Sequence, residues 1–287
     1  MTDTICILTP DPADEAYETR WRDVLERNAA PLRAAGMEVV GRSWTGTDDL
    51  TQFALVLPLL AWGYPHAHDR WVEAVTSWEG QGVRLQNPAS VLRWNADKRY
   101  VGRLGKRGAP VVPTLYADRL TLDIMEEARA RFATDALVAK PQVSSTAWQT
   151  IRWRPGKSLD GGPEGPAMVQ PYLPAIEQTG EVSLLYFNGR FSHAISKRPQ
   201  PGDFRVQPEF QGIIAAHDPV PDEREAAQRV LAAVDEPLLY ARIDLVRGLT
   251  DEPQLIELEA IEPDLYLGYA PDRGATFAAA VRELIAR

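Results

Sequence analysis

Apolar and polar residues alternate along two neighbouring stretches near the end of the chain, residues 240–248 and 254–263. The alternation predicts two strands joined by a polar turn over residues 249–253. Because side chains alternate between the faces of a strand, Arg242 and Asp244 share one face, and Glu257 and Glu259 share another. If these faces meet, three carboxylates converge and repel one another unless a cation such as Mg²⁺ is bound. The same pattern is also typical of a surface hairpin with a solvated acidic face.

The N-terminal third alternates short apolar runs with amphipathic stretches, which predicts a parallel α/β lobe. Strands are predicted at residues 4–8, 37–40, 53–57 and 83–88, and helices over residues 11–36 and 69–79. The loop 61–68 follows the strand 53–57 at its carboxyl end, where such lobes bind ligands, so it is a candidate to touch a substrate. His66 and His68 lie in this loop and are more typical of surface residues than of metal ligands.

The remainder of the chain mixes strands with helices. Strands are predicted at 137–141 and 151–154, another begins at 168, and a hairpin turns at Asn188-Gly189. Helices are predicted over residues 121–132, 222–234 and 276–286. Residues 93–107 hold six basic residues and one acid, which indicates an anion nearby in a protein that is acidic as a whole.

Composition narrows the classes of function. The chain has 287 residues and a net charge of −9, which argues against nucleic acid or an anionic membrane as a partner. Its one cysteine, Cys6, allows no disulfide within the chain. The start lacks the features of a signal peptide and no apolar run approaches the length of a membrane span, so we expect a cytoplasmic location.

Six short segments occur in an order that resembles the ATP-grasp superfamily. They are Asp97-Lys98, Ala139-Lys140-Pro141, residues 169–173, Gly180-Glu181, Arg242-Ile243-Asp244 and Glu257-Leu258-Glu259. Residues 168–176 are similar to prokaryotic glutathione synthetases, whereas residues 180–181, 192–197 and 261–263 are more similar to cycloserine synthetase and its relatives. The resemblance covers about residues 90–287, and the ordered set carries it rather than any one motif.

The resemblance implies an α/β protein with α+β lobes, that is, an ATP-grasp fold with an N-terminal parallel α/β lobe. The expected domains are residues 1–92 and an ATP-grasp domain of residues 93–287, with a lid subdomain at about 113–174 and a C-terminal subdomain at about 175–287. It also implies an ATP-dependent ligase that forms a C–N bond through an acyl phosphate on a small amino-acid-like carboxylate, releasing ADP and phosphate. ATP and one or two Mg²⁺ ions, with Mn²⁺ as a substitute, are the expected cofactors.

The resemblance also implies a role for individual residues. Lys98, Lys140, Ser144 and Ser145 would contact the phosphates, Gln170, Tyr172 and Leu173 the adenine, and Glu181 the ribose hydroxyls. Asp244, Glu257 and Glu259 would hold Mg²⁺, and Lys197 and Arg242 would stabilise the transferred phosphate and the tetrahedral centre. Arg198, Arg205 and Glu262 are candidate substrate ligands.

Two features depart from the family pattern. Glutathione synthetases carry asparagine at the position of Glu259, so the extra charge bears on the number of metal ions. The loop over the phosphates is usually rich in glycine, yet residues 142–150 contain none. Two alternatives therefore stay open, namely ATP-driven intramolecular cyclisation and a nucleotide-binding module without catalysis. The substrates would be a small carboxylate and an amine, and a homo-oligomer, dimer or tetramer, is left open.

Overall fold

The computed structural model describes residues 3–17, 20–200 and 212–286. Its N-terminal sheet is parallel, in the order β2-β1-β3. The strands are β1 (Thr4–Thr9), β2 (Glu38–Ser43) and β3 (Leu55–Leu57), and the helices beside them are α1 (Arg20–Ala34) and α2 (His68–Gly80). The expected parallel α/β lobe is therefore confirmed.

Two elements of this lobe differ from expectation. The first helix begins at Arg20 rather than Asp11, because Asp11 and Asp14 accept hydrogen bonds from the backbone N–H groups of Ala13 and Ala16 at 2.9 and 3.0 Å. Such turns compete with helix formation. The expected strand at 83–88 is reduced to a single bridge between Val56 and Leu85.

Two short helices and two buried amides join this lobe to the rest of the chain. The basic stretch forms α3 (Ala89–Asn95) and α4 (Tyr100–Lys106). Asn87 donates to the carbonyl oxygens of Tyr240 and Ala260 at 2.9 and 2.8 Å. Asn95 donates to the carbonyl of Leu258 at 2.8 Å and accepts from the N–H of Ala260 at 2.9 Å. These bonds fix the C-terminal strand pair against the N-terminal lobe.

The second sheet is antiparallel, in the order β4-β7-β5-β6. Its strands are β4 (Leu115–Ala117), β5 (Leu137–Pro141), β6 (Ile151–Trp153) and β7 (Ala167–Pro171), and its helices are α5 (Leu122–Phe132) and α6 (Ala175–Gln178). Thr121 caps α5 by accepting a hydrogen bond from the N–H of Ile124 at 3.2 Å. Met125 and Ala128 on the inner face of α5 join the core of this sheet.

The third sheet is also antiparallel, in the order β10-β9-β8-β11-β12. Its strands are β8 (Glu181–Phe187), β9 (Arg190–Arg198), β10 (Ile213–His217), β11 (Tyr240–Arg247) and β12 (Pro253–Glu259), and its helices are α7 (Pro221–Ala232) and α8 (Ala275–Ile285). The hairpin turns at Asn188 and Gly189, whose φ angles of 48° and 74° suit a two-residue loop. Ile243 and Leu245 point away from the charged face into a core shared with α7.

The sheets are joined by shared cores rather than by linkers alone. Ile5 and Leu32 of the N-terminal lobe belong to the same buried cluster as Phe187, Tyr240 and Phe277 of the C-terminal part. Each sheet falls inside one of the predicted segments 1–92, 113–174 and 175–287, whose limits stay a prediction. Within the described residues, no helix is long and apolar enough to cross a membrane.

Candidate active site

A cavity of about 370 Å³ opens where the three sheets meet. Its floor is the polar face of β8, β9, β11 and β12, and its roof is formed by β5, β7 and the loop 142–150. The third wall comes from the N-terminal lobe and includes Tyr17, Trp62, Tyr64 and His66. The cavity therefore collects residues that are distant in sequence and that differ in chemistry from wall to wall.

The strand pair β11–β12 places its charged residues side by side. Arg242 lies opposite Glu259 and Asp244 lies opposite Glu257, so the shared polar face predicted from the alternation is confirmed. Asp244 is nearly inaccessible, at 2% exposed, and four atoms hold its carboxylate. Arg242 donates to it from Nε at 3.0 Å and Nη2 at 2.9 Å, Lys197 Nζ at 3.1 Å, and Ser183 Oγ at 2.6 Å.

The other carboxylates are also paired with cations. Arg242 makes a second ion pair with Glu259, and Lys197 a second one with Glu181. These contacts form one chain of alternating charge from Glu181 through Lys197, Asp244 and Arg242 to Glu259. Pairing each charge with opposite charges on the same sheet face allows so many of them to be buried together.

Glu257 is neutralised from a different direction. Lys98 reaches it from the segment between α3 and α4, with its Nζ 3.2 Å from the carboxylate. The same Nζ donates to the carbonyl of Ser144 in the roof loop, and the backbone N–H of Lys98 donates to the carbonyl of Gln142 at 2.8 Å. Lys98 thus links the floor of the cavity to its roof.

The three predicted metal ligands share a face of the sheet, and their role in binding a metal ion stays a prediction. Within residues 3–17, 20–200 and 212–286, no group of three acidic, histidine or cysteine side chains is arranged to hold a metal ion. In this arrangement the carboxylates are paired with Arg242, Lys197 and Lys98. The donor set, three carboxylates on one sheet face, still has the oxygen chemistry that a hard divalent cation requires.

Burial and neighbouring charges shift the pKa values of these groups in opposite directions. Burial alone would raise the pKa of Asp244, but the charges of Arg242 and Lys197 outweigh it and hold that pKa well below the usual range. Burial raises the pKa of Glu181 to about 7 and of Glu259 to about 8, against the opposing charges of Lys197 and Arg242. Such shifts are common where charged groups are gathered for function.

The roof offers Lys140 and a mostly apolar slot. Burial lowers the pKa of Lys140, while the charge of Glu257 acts to raise it. Tyr172 and Leu173 belong to a small buried cluster with Val112, Ile176 and Val246. The side chain of Gln170 donates to Thr114 Oγ1 at 2.9 Å. An apolar slot beside a lysine suits a flat ring attached to an anion.

The loop over residues 142–150 closes part of the cavity without glycine. Thr146, Ala147 and Gln149 all adopt positive φ angles, of 49°, 57° and 50°. Trp148 is 46% exposed and packs edge-on against His66 of the N-terminal lobe, with the ring centroids 5.4 Å apart. The loop is therefore in contact with both the second sheet and the N-terminal lobe.

The N-terminal wall contains residues that the sequence did not single out. Tyr17 and Trp62 pack with ring centroids 5.5 Å apart, and the Arg20 guanidinium lies 5.7 Å from the Trp62 centroid. No motif in the sequence marks Tyr17, which precedes α1, or Arg20, which is the first residue of α1. The aromatic content of the loop 61–68 was the available signal for Trp62 and Tyr64.

Most of the predicted site residues are brought together. Those lining the cavity are Lys98, Lys140, Ser144, Ser145, Gln170, Tyr172, Leu173, Glu181, Lys197, Arg242, Asp244, Glu257, Glu259 and Glu262. Arg198 is exposed at the end of β9 and is not among the lining residues. Arg205 lies outside the described residues. The role of each remains a prediction.

Comparisons with known proteins agree with this architecture. The profile of the family described as "D-cycloserine synthetase DcsG, N-terminal domain" matches residues 5–87. The cycloserine biosynthesis protein DcsG of Streptomyces lavendulae is 29% identical over 273 residues, covering 88% of this chain and 90% of that protein. A glutathione synthetase of Prochlorococcus marinus (strain MIT 9313) is 27% identical over 252 residues, covering 79% and 76%.

Solved structures extend the similarity to the whole chain. The crystal structure of D-cycloserine synthetase DcsG superposes with a TM-score of 0.82 at 26% identity, covering 98% of this chain and 99% of that one. The ATP-grasp ligase PsnB, in complex with a minimal precursor, gives a TM-score of 0.67 at 15% identity, with 99% of each chain covered. The second likeness concerns the fold alone.

Proposed function

We propose that this protein, whose chain has the ATP-grasp fold, is an ATP-dependent ligase that forms a C–N bond. The substrate carboxylate attacks the γ-phosphorus and ADP leaves. An amine nitrogen then attacks the acyl carbon, loses a proton and displaces phosphate. The observation that carries the proposal is the buried chain of alternating charge along β8, β9 and β11–β12, facing Lys98 and Lys140 across one cavity.

The site residues have two kinds of role. Some bind negative charge that is present in the bound substrate, and others stabilise negative charge that develops during the reaction. Lys98 and Lys140 hold phosphates that are charged before reaction, and the apolar slot at Tyr172 and Leu173 holds the base. Arg242 and Lys197 face charge that develops as the phosphoryl group moves and as the acyl carbon becomes tetrahedral. Preorganised donors of this kind supply much of the rate enhancement in phosphoryl and acyl transfer.

Magnesium fits the donor set on the sheet face. Asp244, Glu257 and Glu259 would hold it, and when bound it would neutralise charge on the phosphate oxygens. The side chains of Lys98, Lys197 and Arg242, which are paired with these carboxylates in the structure, would then be free to face the phosphates. The proposal includes one or two Mg²⁺ ions, with Mn²⁺ as a substitute. It also includes a cytoplasmic location.

The second candidate is ATP-driven cyclisation, in which the amine belongs to the same molecule as the carboxylate. The specific observation that favours it is the match of residues 5–87 to the N-terminal domain family of D-cycloserine synthetase. That lobe supplies the aromatic wall of the cavity. A nucleotide-binding module without catalysis is disfavoured because Arg242, Asp244 and Lys197 are all present, with Arg242 and Lys197 both donating to Asp244.

Measurement of ADP release separates these candidates. Amino acids are supplied singly and with a second amine, in the presence of ATP and Mg²⁺. Release that needs a second amine supports ligation, and release with a single substrate that yields a dehydrated product supports cyclisation. Absence of ADP release over the panel, together with tight ATP binding, would overturn both.

A further inference from the structure

Glu262 differs from the three predicted metal ligands of the cavity. Its Oε2 atom is buried and has no hydrogen-bond partner among the described residues. Asp244, Glu257 and Glu259 are each paired with a lysine or an arginine. A buried carboxylate oxygen without a partner is costly, so this atom points to a group that is supplied from outside the chain.

The backbone that carries Glu262 is held firmly. Ala260 is bonded through its N–H and its carbonyl to the side chains of Asn95 and Asn87. The hydroxyl of Tyr240 donates to the carbonyl of Ile261 at 2.9 Å. Ile261 is 1% exposed. The carboxylate is thus presented to the cavity by a fixed segment rather than by a loop that happens to pass it.

The neighbourhood of Glu262 has the chemistry of a cation site. Tyr17, Trp62 and Tyr64 line the same cavity. Burial raises the pKa of Tyr17 to about 12, and the charge of Glu262 acts on it in the same direction. Aromatic faces attract ammonium groups, and a carboxylate completes such a site. The charge of Lys98 acts on Glu262, but the Nζ of Lys98 is already bonded to Glu257 and to the carbonyl of Ser144.

We propose that Glu262, with Tyr17, Trp62 and Tyr64, binds a non-reacting ammonium group of the substrate, so that the enzyme selects amino acids over simple or hydroxylated carboxylic acids. The inference rests on the proposed function, which requires a carboxylate substrate but does not say what else that substrate carries. It assigns selectivity to the junction of β12 with the N-terminal lobe.

Paired probes test the assignment. Both enantiomers of alanine and serine are compared with both enantiomers of lactate and glycerate, in which a hydroxyl replaces the ammonium group. Dissociation constants are measured by calorimetry with and without Mg²⁺ and a non-hydrolysable ATP analogue. The variants are Glu262→Gln, which keeps the shape but not the charge, and Glu225→Gln, an exposed site on α7, as the matched control.

We expect the wild type and Glu225→Gln to bind at least one amino acid more tightly than its hydroxy acid. In Glu262→Gln that preference should fall roughly 10- to 100-fold, the loss expected for one hydrogen bond to a charged group. The quantity compared is a ratio within each protein, so a general loss of stability in the variant would not imitate the result.

Three outcomes would overturn the assignment: equal binding of both members of every pair by the wild type, binding of none of them, or a preference that survives in Glu262→Gln. Failure of the proposed function has a different signature, since the wild type would then release no ADP with any substrate of the panel, even where it binds ATP with Mg²⁺. The probe ratios measured without nucleotide decide the Glu262 assignment in either case.

Discussion

The charged face of the five-stranded sheet and the loop 142–150 lie on opposite sides of one cavity and are held in place by different means. On the sheet, Arg242 and Lys197 are both paired with Asp244, and all three side chains are nearly inaccessible. The loop has no such network, and it places Thr146, Ala147 and Gln149 at positive φ. For residues other than glycine this conformation costs roughly 1–2 kcal/mol each.

The sheet face and the loop therefore suit different tasks: the sheet face is preorganised for the reaction, and the loop is suited to opening and closing the cavity. A rigid charged floor costs nothing to assemble at the moment of reaction, which is what transition-state stabilisation needs. A roof that admits and releases nucleotide needs two states of similar free energy. We expect the strain in the loop to oppose its contacts through Lys98 and through Trp148 with His66, which would bring the two states close in free energy.

The largest expected effect comes from the floor. Arg242→Lys keeps the charge but loses the two-pronged contact of Nε and Nη2 with Asp244. We expect kcat to fall by about 10²–10³-fold, the cost of removing one preorganised donor, with little change in the KM for ATP. Steady-state kinetics check it, with Arg247→Lys, whose partner Asp222 lies outside the cavity, as the control. A raised KM with an intact kcat would assign Arg242 to ground-state binding instead.

Lys140 should give the opposite pattern, because it meets phosphates that are already charged in the bound substrate. We expect Lys140→Met to raise the KM for ATP roughly 10- to 100-fold, which is the loss expected for one hydrogen bond to a charged group. The kcat should change much less. Lys157→Met, an exposed lysine of the same lobe, is the matched control. Equal losses in kcat and in kcat/KM would place Lys140 with Arg242 and weaken the comparison.

Removal of the metal tests whether the carboxylates bind Mg²⁺ in place of their lysine and arginine partners when ATP is present. With Mg²⁺, ATP at a hundredfold excess over its dissociation constant should add about 2.7 kcal/mol to the free energy of unfolding. With EDTA the gain should be much smaller, because phosphates would meet Asp244 and Glu257 without a screening ion. Thermal unfolding with each combination measures it, and equal gains would contradict the metal assignment.

The sequence predicts those features of the site that depend on the regular alternation of side chains along a strand. Alternation along a strand fixes which side chains share a face, so Arg242 with Asp244 and Glu257 with Glu259 were expected, and the structure pairs them in register. The strand Leu137–Pro141 and the turn at Asn188-Gly189 follow from equally local rules. The ordered segments then carried the resemblance that placed Lys98 and Lys140 in the same site.

What the sequence could not predict depends on contacts between distant segments. The sequence did not show that Lys98 and Lys197 reach the carboxylates of β11 and β12 from elsewhere in the fold. The aromatic wall at Tyr17 and the unpartnered oxygen of Glu262 arise only where the N-terminal lobe meets the end of β12. Arg198 shows the converse, because its position beside Lys197 in sequence leaves it exposed.

Amide hydrogen exchange tests the loop as the moving part. ATP with Mg²⁺ should slow exchange across residues 142–150 more than across α7, which lies behind the sheet and contributes nothing to the cavity lining. Exchange reports local opening, and a loop near balance has the most protection to gain. Unchanged exchange in the loop at saturating nucleotide would transfer the role of lid to residues 61–68.

The smallest effect concerns the strain itself. Ala147→Gly places glycine where φ is 57°, relieving roughly 1–2 kcal/mol of backbone strain while adding roughly 0.5–1 kcal/mol of chain entropy to be lost on folding. We therefore expect a net gain of about 0.5 kcal/mol in the free energy of unfolding. The same change at Ala216, an exposed residue within β10, should cost about as much, because no strain is relieved there. Denaturant midpoints at constant slope measure both, and a loss at position 147 would show that this loop is held without strain.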